Sequence, residues 1–384
     1  FIKLQIKFSK FFFILKRINF SLKKPPKKKF VLYDTSNSET LSFVLPSKDT
    51  FLLPVRILEF NTIYISLNLI HYLILNFFKN SIKQNYIAFL IKKISPDIVF
   101  TAVEQSPDFY ITAKILNKDR FRFIAIQHSC LRSCEYMQKS LLNKTIFIPK
   151  FYCFSIYEKN ILRKTDAEIS EFNPSGSLKA GIFLNINKDK EDFNHKFNFD
   201  ICLLAEAAPR FTGDVLGYKD YQEIPGVVAN LTHKLCKKNN LNLVFASKFF
   251  SNEVYFNEEY EYYKYFLKDY DFKIIPKDNF LSTFEKAFQS NVIVGHSSTA
   301  LREIFSLKKK VLQWNYSKNI HLIEPFSGPS YLEGSDYDLF EKRILNLLKL
   351  TYDEYQKKLS SNISIIDNSD EIISKIQKDI NEKY

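Results

Sequence analysis

Short apolar runs that end in polar residues recur along the chain, and this recurrence limits the folds open to it. KKKFVLYD (27–34) starts in charge, runs apolar and stops at Asp34. Asp97 to Ala102 reads as a buried strand, with Glu104 to Asp108 in the loop at its C-terminal end, and Pro96 stops the helix before it. Residues 121–126 give another strand, which ends in Gln127, His128 and Ser129. FYCFSIYEKNILRK is a further strand followed by a helix. Continuous apolar runs of this length belong to parallel strands buried on both faces, and alternation with helical stretches predicts α/β architecture.

A second series begins with FDICLLAEAAPR. It continues through a helix after Pro225, the strand LNLVFASKFF, an acidic Tyr-rich helix (253–269), FKIIP, the helix FLSTFEKAFQ, NVIVGHSST and KKVLQWN. Between the two series, Pro174, Gly176 and Gly181 precede a polar, charged stretch that reads as an interdomain linker. A length of 384 residues exceeds one ordinary core. The predicted organisation is therefore a basic amphipathic segment (1–26), a first Rossmann-like domain (27–175), a linker (176–198), a second Rossmann-like domain (199–339) and C-terminal helices (340–384). Two doubly wound domains bind ligands where strand C-termini face the cleft between them. That places Glu104, Gln127, Glu206, Lys248 and Gly295 around one cavity.

Charge narrows the partners less than it first suggests. The formal charge is +13, from 55 Lys and Arg against 42 Asp and Glu, which suits a polyanion, an anionic membrane or a phosphorylated substrate. Zinc-finger spacing, an RNP-like aromatic strand and a basic heptad array are all missing, so no nucleic-acid partner is expected. The five cysteines are scattered, and the gap between Cys130 and Cys134 fits neither a redox pair nor a zinc knuckle. Small buried hydrophobes in a reducing cytoplasm are the expectation.

Two stretches bear on membranes. The opening FIKLQIKFSKFFFILKRINFSLKKPPKKK is too interrupted for a secretory signal. It reads either as a membrane-surface helix with lysines toward anionic lipid, or as a poorly ordered or core-packed segment. FNTIYISLNLIHYLILNFF (60–78) holds no charge, but Asn61, Asn68, His71 and Asn76 punctuate it, which favours a buried or half-buried helix of the first domain over a spanning one.

The chemistry is sharpest in NVIVGHSSTALREIFSLKKKVLQWN (291–315). A strand ends at Gly295-His296, three hydroxyl residues follow, and a helix begins. Ser297, Ser298 and Thr299 sit where a helix presents unpaired N–H groups and its positive end, the makings of a phosphate site. Glu303, four residues after Thr299, lies one turn on along the same face, where a carboxylate can accept ribose hydroxyls. The plainer alternative is that Ser298 is an N-cap and Glu303 a solvated acid. DYD at 269–271 and 336–338 reads as solvated acids in helical contexts, and HExxH, Walker, GxSxG and GxGxxG motifs are lacking.

VIVGHSSTALREIFSLKKKVL resembles the donor-site segment of GT-B glycosyltransferases, where a Ser/Thr-rich turn and a following Glu hold a sugar nucleotide. TAVEQSPDFYITAKI, FRFIAIQHSCLR, FYCFSIYEKNILRK, PSGSLKAGIF and FDICLLAE are similar, in that order, to segments of surface-carbohydrate (capsule or lipopolysaccharide) biosynthesis proteins near the Kdo and sialic acid transferases. The resemblance implies a GT-B-like fold and an inverting, metal-independent transfer without cofactor. The donor would be a nucleotide sugar, with a CMP-linked acidic sugar as the first to try, and the acceptor a surface polysaccharide or lipid-linked glycan. Gln127-His128-Ser129 stands where the family-like pattern reads Gln-Asn-Gly, and Glu104 stands where Asp is expected.

Such a transfer needs its leaving phosphate stabilised and its acceptor hydroxyl deprotonated. The helix start, His296, Ser297, Ser298, Thr299 and Lys248 are candidates for the first task, and Glu104 or His128 for the second. Arg132 and Arg210 are candidate anion contacts. Rival readings are a polyol-phosphate transferase, a sugar-nucleotide epimerase, or a non-catalytic scaffold of a glycan pathway. The expected location is the cytoplasm, peripheral on the inner membrane face.

Overall fold

The computed structural model describes residues 19–56, 61–129, 145–188, 197–206, 222–268, 271–319, 326–359 and 369–382. The first half runs β1 (Asn19–Ser21), β2 (Phe30–Tyr33), α1 (Ser38–Ser42), β3 (Thr50–Leu53), β4 (Thr62–Tyr64), α2 (Leu67–Leu75), α3 (Ile82–Ile94), β5 (Ile98–Thr101), α4 (Pro107–Ile115), β6 (Arg122–Ile126), β7 (Phe147–Cys153), α5 (Ile156–Leu162) and β8 (Glu168–Pro174). Next come α6 (Leu178–Asn187), β9 (Phe199–Leu204), α7 (Ile224–Lys238), β10 (Leu243–Phe250), α8 (Val254–Leu267), β11 (Ile274–Lys277), α9 (Ser282–Phe288) and β12 (Ser290–Gly295). The chain closes with α10 (Thr299–Ser306), β13 (Lys310–Asn315), β14 (Tyr331–Glu333), α11 (Tyr337–Lys349), α12 (Tyr352–Lys357) and α13 (Ile372–Asn381).

Two six-stranded, all-parallel sheets result. The first has the order β3-β2-β5-β6-β7-β8, the second β11-β10-β9-β12-β13-β14. The second order is the Rossmann arrangement, whose direction reverses between β9 and β12. Their apolar runs explain the strands: β2, β5 and β13 are buried at every position. Helix boundaries follow local chemistry. Ser95 ends α3 in the left-handed region, its N–H on Ile91 O, and Pro96 follows; Ser106 caps α4 with Pro107 inside its first turn. This is the α/β, GT-B-like architecture of two Rossmann-like domains.

Three segments differ from expectation. The stretch 176–198, read as a linker, contains α6, whose Leu178, Ala180, Ile182 and Phe183 are buried in a core shared with α9, α10 and α13. Most of its charged residues follow the helix, and they mask its apolar ones in the composition of the stretch. Within 1–26, the described part includes β1, an extended segment paired in parallel with β4. In 60–78, α2 buries one residue, Leu69, and turns its remaining apolar stripe outward.

The C-terminus does not stay with the second sheet. Asp379 of α13 accepts from Lys150 Nζ at 2.8 Å and Tyr152 Oη at 2.7 Å, and its carbonyl accepts from Arg122 at 2.7 Å. Gly181 of α6 permits this return, since a Cβ there would lie 2.6 Å from Ser369 O and 2.7 Å from Ile372 Cγ2.

Candidate functional site

Strand C-termini of both sheets supply the polar clusters. In the first half, Glu104 follows β5 and is buried. Its Oε2 accepts from the His128 N–H at 3.1 Å and lies 2.5 Å from His128 Nδ1. Its Oε1 accepts from Ser129 Oγ at 2.7 Å and Ser129 N at 3.3 Å, with Gln105 Nε2 at 3.4 Å. Gln127 fixes the same turn, with its Oε1 accepting from Phe154 N at 2.8 Å and its Nε2 donating to Ser129 O at 2.7 Å. A carboxylate only accepts, so the Nδ1 proton of His128 is committed to Glu104 and any further proton goes to Nε2. Burial would lower the His128 pKa, but the Glu104 charge and hydrogen bond outweigh it and the pKa is raised. Burial would raise the Glu104 pKa, and His128 with Ser129 hold it lower instead.

The second cluster lies at the switch between β9 and β12. Glu206 Oε1 accepts from the His296 N–H at 2.8 Å, and its Oε2 from Ser297 N at 2.6 Å and Ser297 Oγ at 2.7 Å. A Cβ on Gly295 would stand 2.9 Å from Glu206 Oε1, so any larger residue would push the Glu206 side chain away from the His296 and Ser297 donors. His296 Nδ1 donates to Trp314 O at 2.8 Å, and Lys248 Nζ to Glu206 O at 3.1 Å. Burial lowers the Lys248 pKa.

This arrangement shows which donors of the turn are engaged within the protein. Ser297 and the amides of residues 296 and 297 hydrogen-bond the side-chain oxygens of Glu206. His296 and Gly295 build the turn, and Lys248 steadies Glu206. Ser298 stands at the N-cap of α10 but its side chain makes no cap bond, so capping does not account for it. Ser298 and Thr299 are half-buried at the helix's positive end.

The two halves meet through α10. Arg302 Nη2 pairs with Glu158 Oε1 at 2.8 Å, both side chains fully buried. The guanidinium also lies 5.6 Å from the ring centroids of Phe154 and Tyr157. Glu158 Oε2 in turn accepts from Ser155 N at 2.9 Å and Ser155 Oγ at 2.7 Å, completing the capping box of α5. Glu303, the next residue, is buried, and Ser177 Oγ, at the N-cap of α6, donates to its Oε1 at 2.5 Å. Burial raises the Glu303 pKa, against the lowering effect of Lys179, Ser177, His128 and Lys277. Burial, with Lys179 nearby, pushes Lys277 at the end of β11 down to about 8.

The expected residues thus divide into two clusters. Glu104, Gln127 and His128 form one; Lys248, Glu206, Gly295, His296 and Ser297 the other, while Glu303 sits at the seam within electrostatic reach of His128. Arg132, Arg210, Cys130 and Cys134 lie outside the described residues. Cys153, Cys202 and Cys236 are buried, and Asp336 caps α11 by accepting from Leu339 N. Sequence reasoning placed Ser129 at the strand end without a role, and missed Ser177, Lys179, Lys277 and the Arg302–Glu158 pair. Ser177 had a signal, a serine opening an apolar stretch after Pro-Ser-Gly. The lysines had none in so basic a chain.

Comparison with known proteins agrees with this architecture. No curated protein is significantly similar in sequence. The chain is similar in fold to UDP-GlcNAc 2-epimerase from Neisseria meningitidis bound to UDP-GlcNAc, at 14% identity and a TM-score of 0.52, over 92% of this chain and 100% of that one. S. aureus MnaA bound to UDP gives 14% and 0.52 over 93% and 99%. The Methanocaldococcus jannaschii UDP-GlcNAc 2-epimerase gives 11% and 0.51 over 94% and 99%. Residues 170–378, more than half the chain, match the family model described as "putative O-antigen biosynthesis protein". They carry α6, the seam helix α10 and the Glu206 turn, and the chain belongs to that O-antigen biosynthesis protein family.

Proposed function

We propose that the protein is a glycosyltransferase that moves a sugar from a nucleotide donor to a surface polysaccharide or lipid-linked glycan, with His128 as general base. The observation that carries this reading is the buried Glu104 carboxylate behind His128, which fixes the tautomer and supports an imidazolium. His128 Nε2 takes the proton of the acceptor hydroxyl, the hydroxyl oxygen attacks the anomeric carbon, and the bond to the leaving phosphate breaks. The positive end of α10 at Ser298 and Thr299, with Lys179 and Lys277, meets the charge released on that phosphate. Transfer then proceeds without metal or cofactor. The same positive charge suits a CMP-linked acidic sugar, the donor to try first.

Calorimetry with CMP, UDP, GDP and TDP sugars tests the donor. The expected result is binding of one of them, weakened about tenfold or more by Lys179→Ala and Lys277→Ala. His128→Ala is expected to leave donor binding intact and to lower turnover ~10²–10⁴-fold, with wild-type turnover unchanged by a chelator. Failure of every nucleotide sugar to bind, or full turnover by His128→Ala, overturns the reading. Binding without turnover in the wild type points to the scaffold alternative.

One observation favours a second reading. Glu303, its pKa raised, stands at the same seam as His128, and an acid paired with a base suits epimerisation of a nucleotide sugar. Conversion of the donor with no acceptor present separates the two reactions.

A further inference from the structure

We propose that α2 and the strand pair beside it form a docking surface for an anionic lipid bilayer. Helix α2 packs through one side: Leu69 is buried, Tyr72 meets the Phe89 ring of α3 at 5.6 Å, and Asn76 O accepts from Asn85 Nδ2 at 2.8 Å. Leu67, Ile70 and Ile74 recur on the other side at helical spacing, the pattern of a core-facing stripe, and all three are exposed, as is Phe78 in the turn after the helix. Leu67 is 84% exposed, Ile74 67% and Phe78 96%. β1 extends the patch. Its Ser21 pairs with Tyr64 of β4 and its carbonyl accepts from Ile65 N at 2.8 Å, which sets the exposed Phe20 and Leu22 beside the start of α2. A contiguous apolar patch of this kind marks an interaction site.

Charge selects the occupant. Lys23, Lys24 and Lys79 are exposed at the patch rim, and residues 1–33 carry nine lysines and Arg17 with no acidic residue. No Asp or Glu occurs between Asn61 and Pro96 either. A second copy of this chain would set like charges face to face, whereas an anionic headgroup layer neutralises them while its acyl boundary takes the apolar stripe. The contact proposed is peripheral, at the boundary of headgroups and acyl chains, and no helix among the described residues is long and apolar enough to cross a membrane. This inference is independent of the reaction the site performs.

Sedimentation of the full chain with vesicles tests it. The protein is expected to bind phosphatidylglycerol–phosphatidylethanolamine vesicles in preference to phosphatidylcholine, several-fold less well as salt rises from ~0.1 to ~0.5 M. Ile70→Glu with Ile74→Glu, at exposed positions, is expected to keep the wild-type circular dichroism and lower partitioning about tenfold or more. Trp314 is the only tryptophan and is buried, so quenching by brominated lipid of the added fluorescence of the Ile74→Trp variant reads insertion at this face. Wild-type binding by the double variant, absence of binding to anionic vesicles, or a dimer-to-monomer change without loss of vesicle binding each overturns the proposal.

Discussion

Replacing Arg302 with methionine tests whether the two halves are locked together through α10. Both partners of the Arg302–Glu158 pair are fully buried, so neither is screened by water, and methionine keeps most of the apolar volume. The substitution strands the Glu158 carboxylate in the interior, which costs about 3–5 kcal/mol, and removes the guanidinium from the Phe154 and Tyr157 rings. At roughly 2–4 °C per kcal/mol, a loss near 4 kcal/mol lowers the melting temperature by about 8–16 °C. Arg302→Met combined with Glu158→Leu removes both charges and should recover most of that loss. About 1 kcal/mol remains missing because Ser155 loses its acceptor. Urea titrations of the wild type, both single variants and the double variant, followed by far-UV circular dichroism and Trp314 fluorescence, give the coupling directly. Additive effects, with a coupling below about 1 kcal/mol, would refute the clamp.

Other outcomes follow from the titratable groups and the tight turn. His128 is raised above 6.5, so its contribution to stability is full below pH 6.5 and lost as pH rises through its folded pKa; Glu104 is lowered below 4.5, so its contribution is present above pH 4.5 and lost as pH falls. The acidic limb of kcat/KM should therefore lie above pH 6.5 and move downward in Glu104→Gln, and an unmoved limb contradicts the pairing. Burial pushes Glu259 up to about 7, so the folded state keeps a proton that the unfolded chain releases. Stability should fall by on the order of 3 kcal/mol between about pH 4.5 and 7, and Glu259→Gln should flatten that slope in denaturant titrations at several pH values. Gly295→Ala presses a methyl on the Glu206 carboxylate and should cost about 1–3 kcal/mol together with donor affinity; a wild-type melting curve would exclude this.

Much of the fold was legible because each strand announces itself locally. Runs such as FVLY and IVFT are buried at every position, and Pro96, Ser106 and Pro107 mark helix ends with neighbours only a few residues away. The Glu104 and His128 cluster was legible in part, since both stand just after strands and parallel sheets gather such positions on one edge. What stayed hidden depends on contacts far apart in the chain. Ser177 and Glu303 are separated by 126 positions, and nothing within LREIF distinguishes a buried arginine from a solvated one. The same holds for Glu206. Its role in filling the turn after β12 is invisible until β9 and β12 are known to be neighbours.

The return of α13 to the first sheet bears on how this protein can be recombined. Lys150, Tyr152 and Arg122 belong to β6 and β7 yet reach their partners at residue 379. A chimera that exchanges everything after β8 with a relative therefore imports a foreign cover for the recipient's own first sheet. A graft that takes residues 197–359 alone, leaving α6 and 369–382 with the host, keeps the first sheet under its native C-terminal helix, and the seam it must then match is the one α6 makes with α9 and α10.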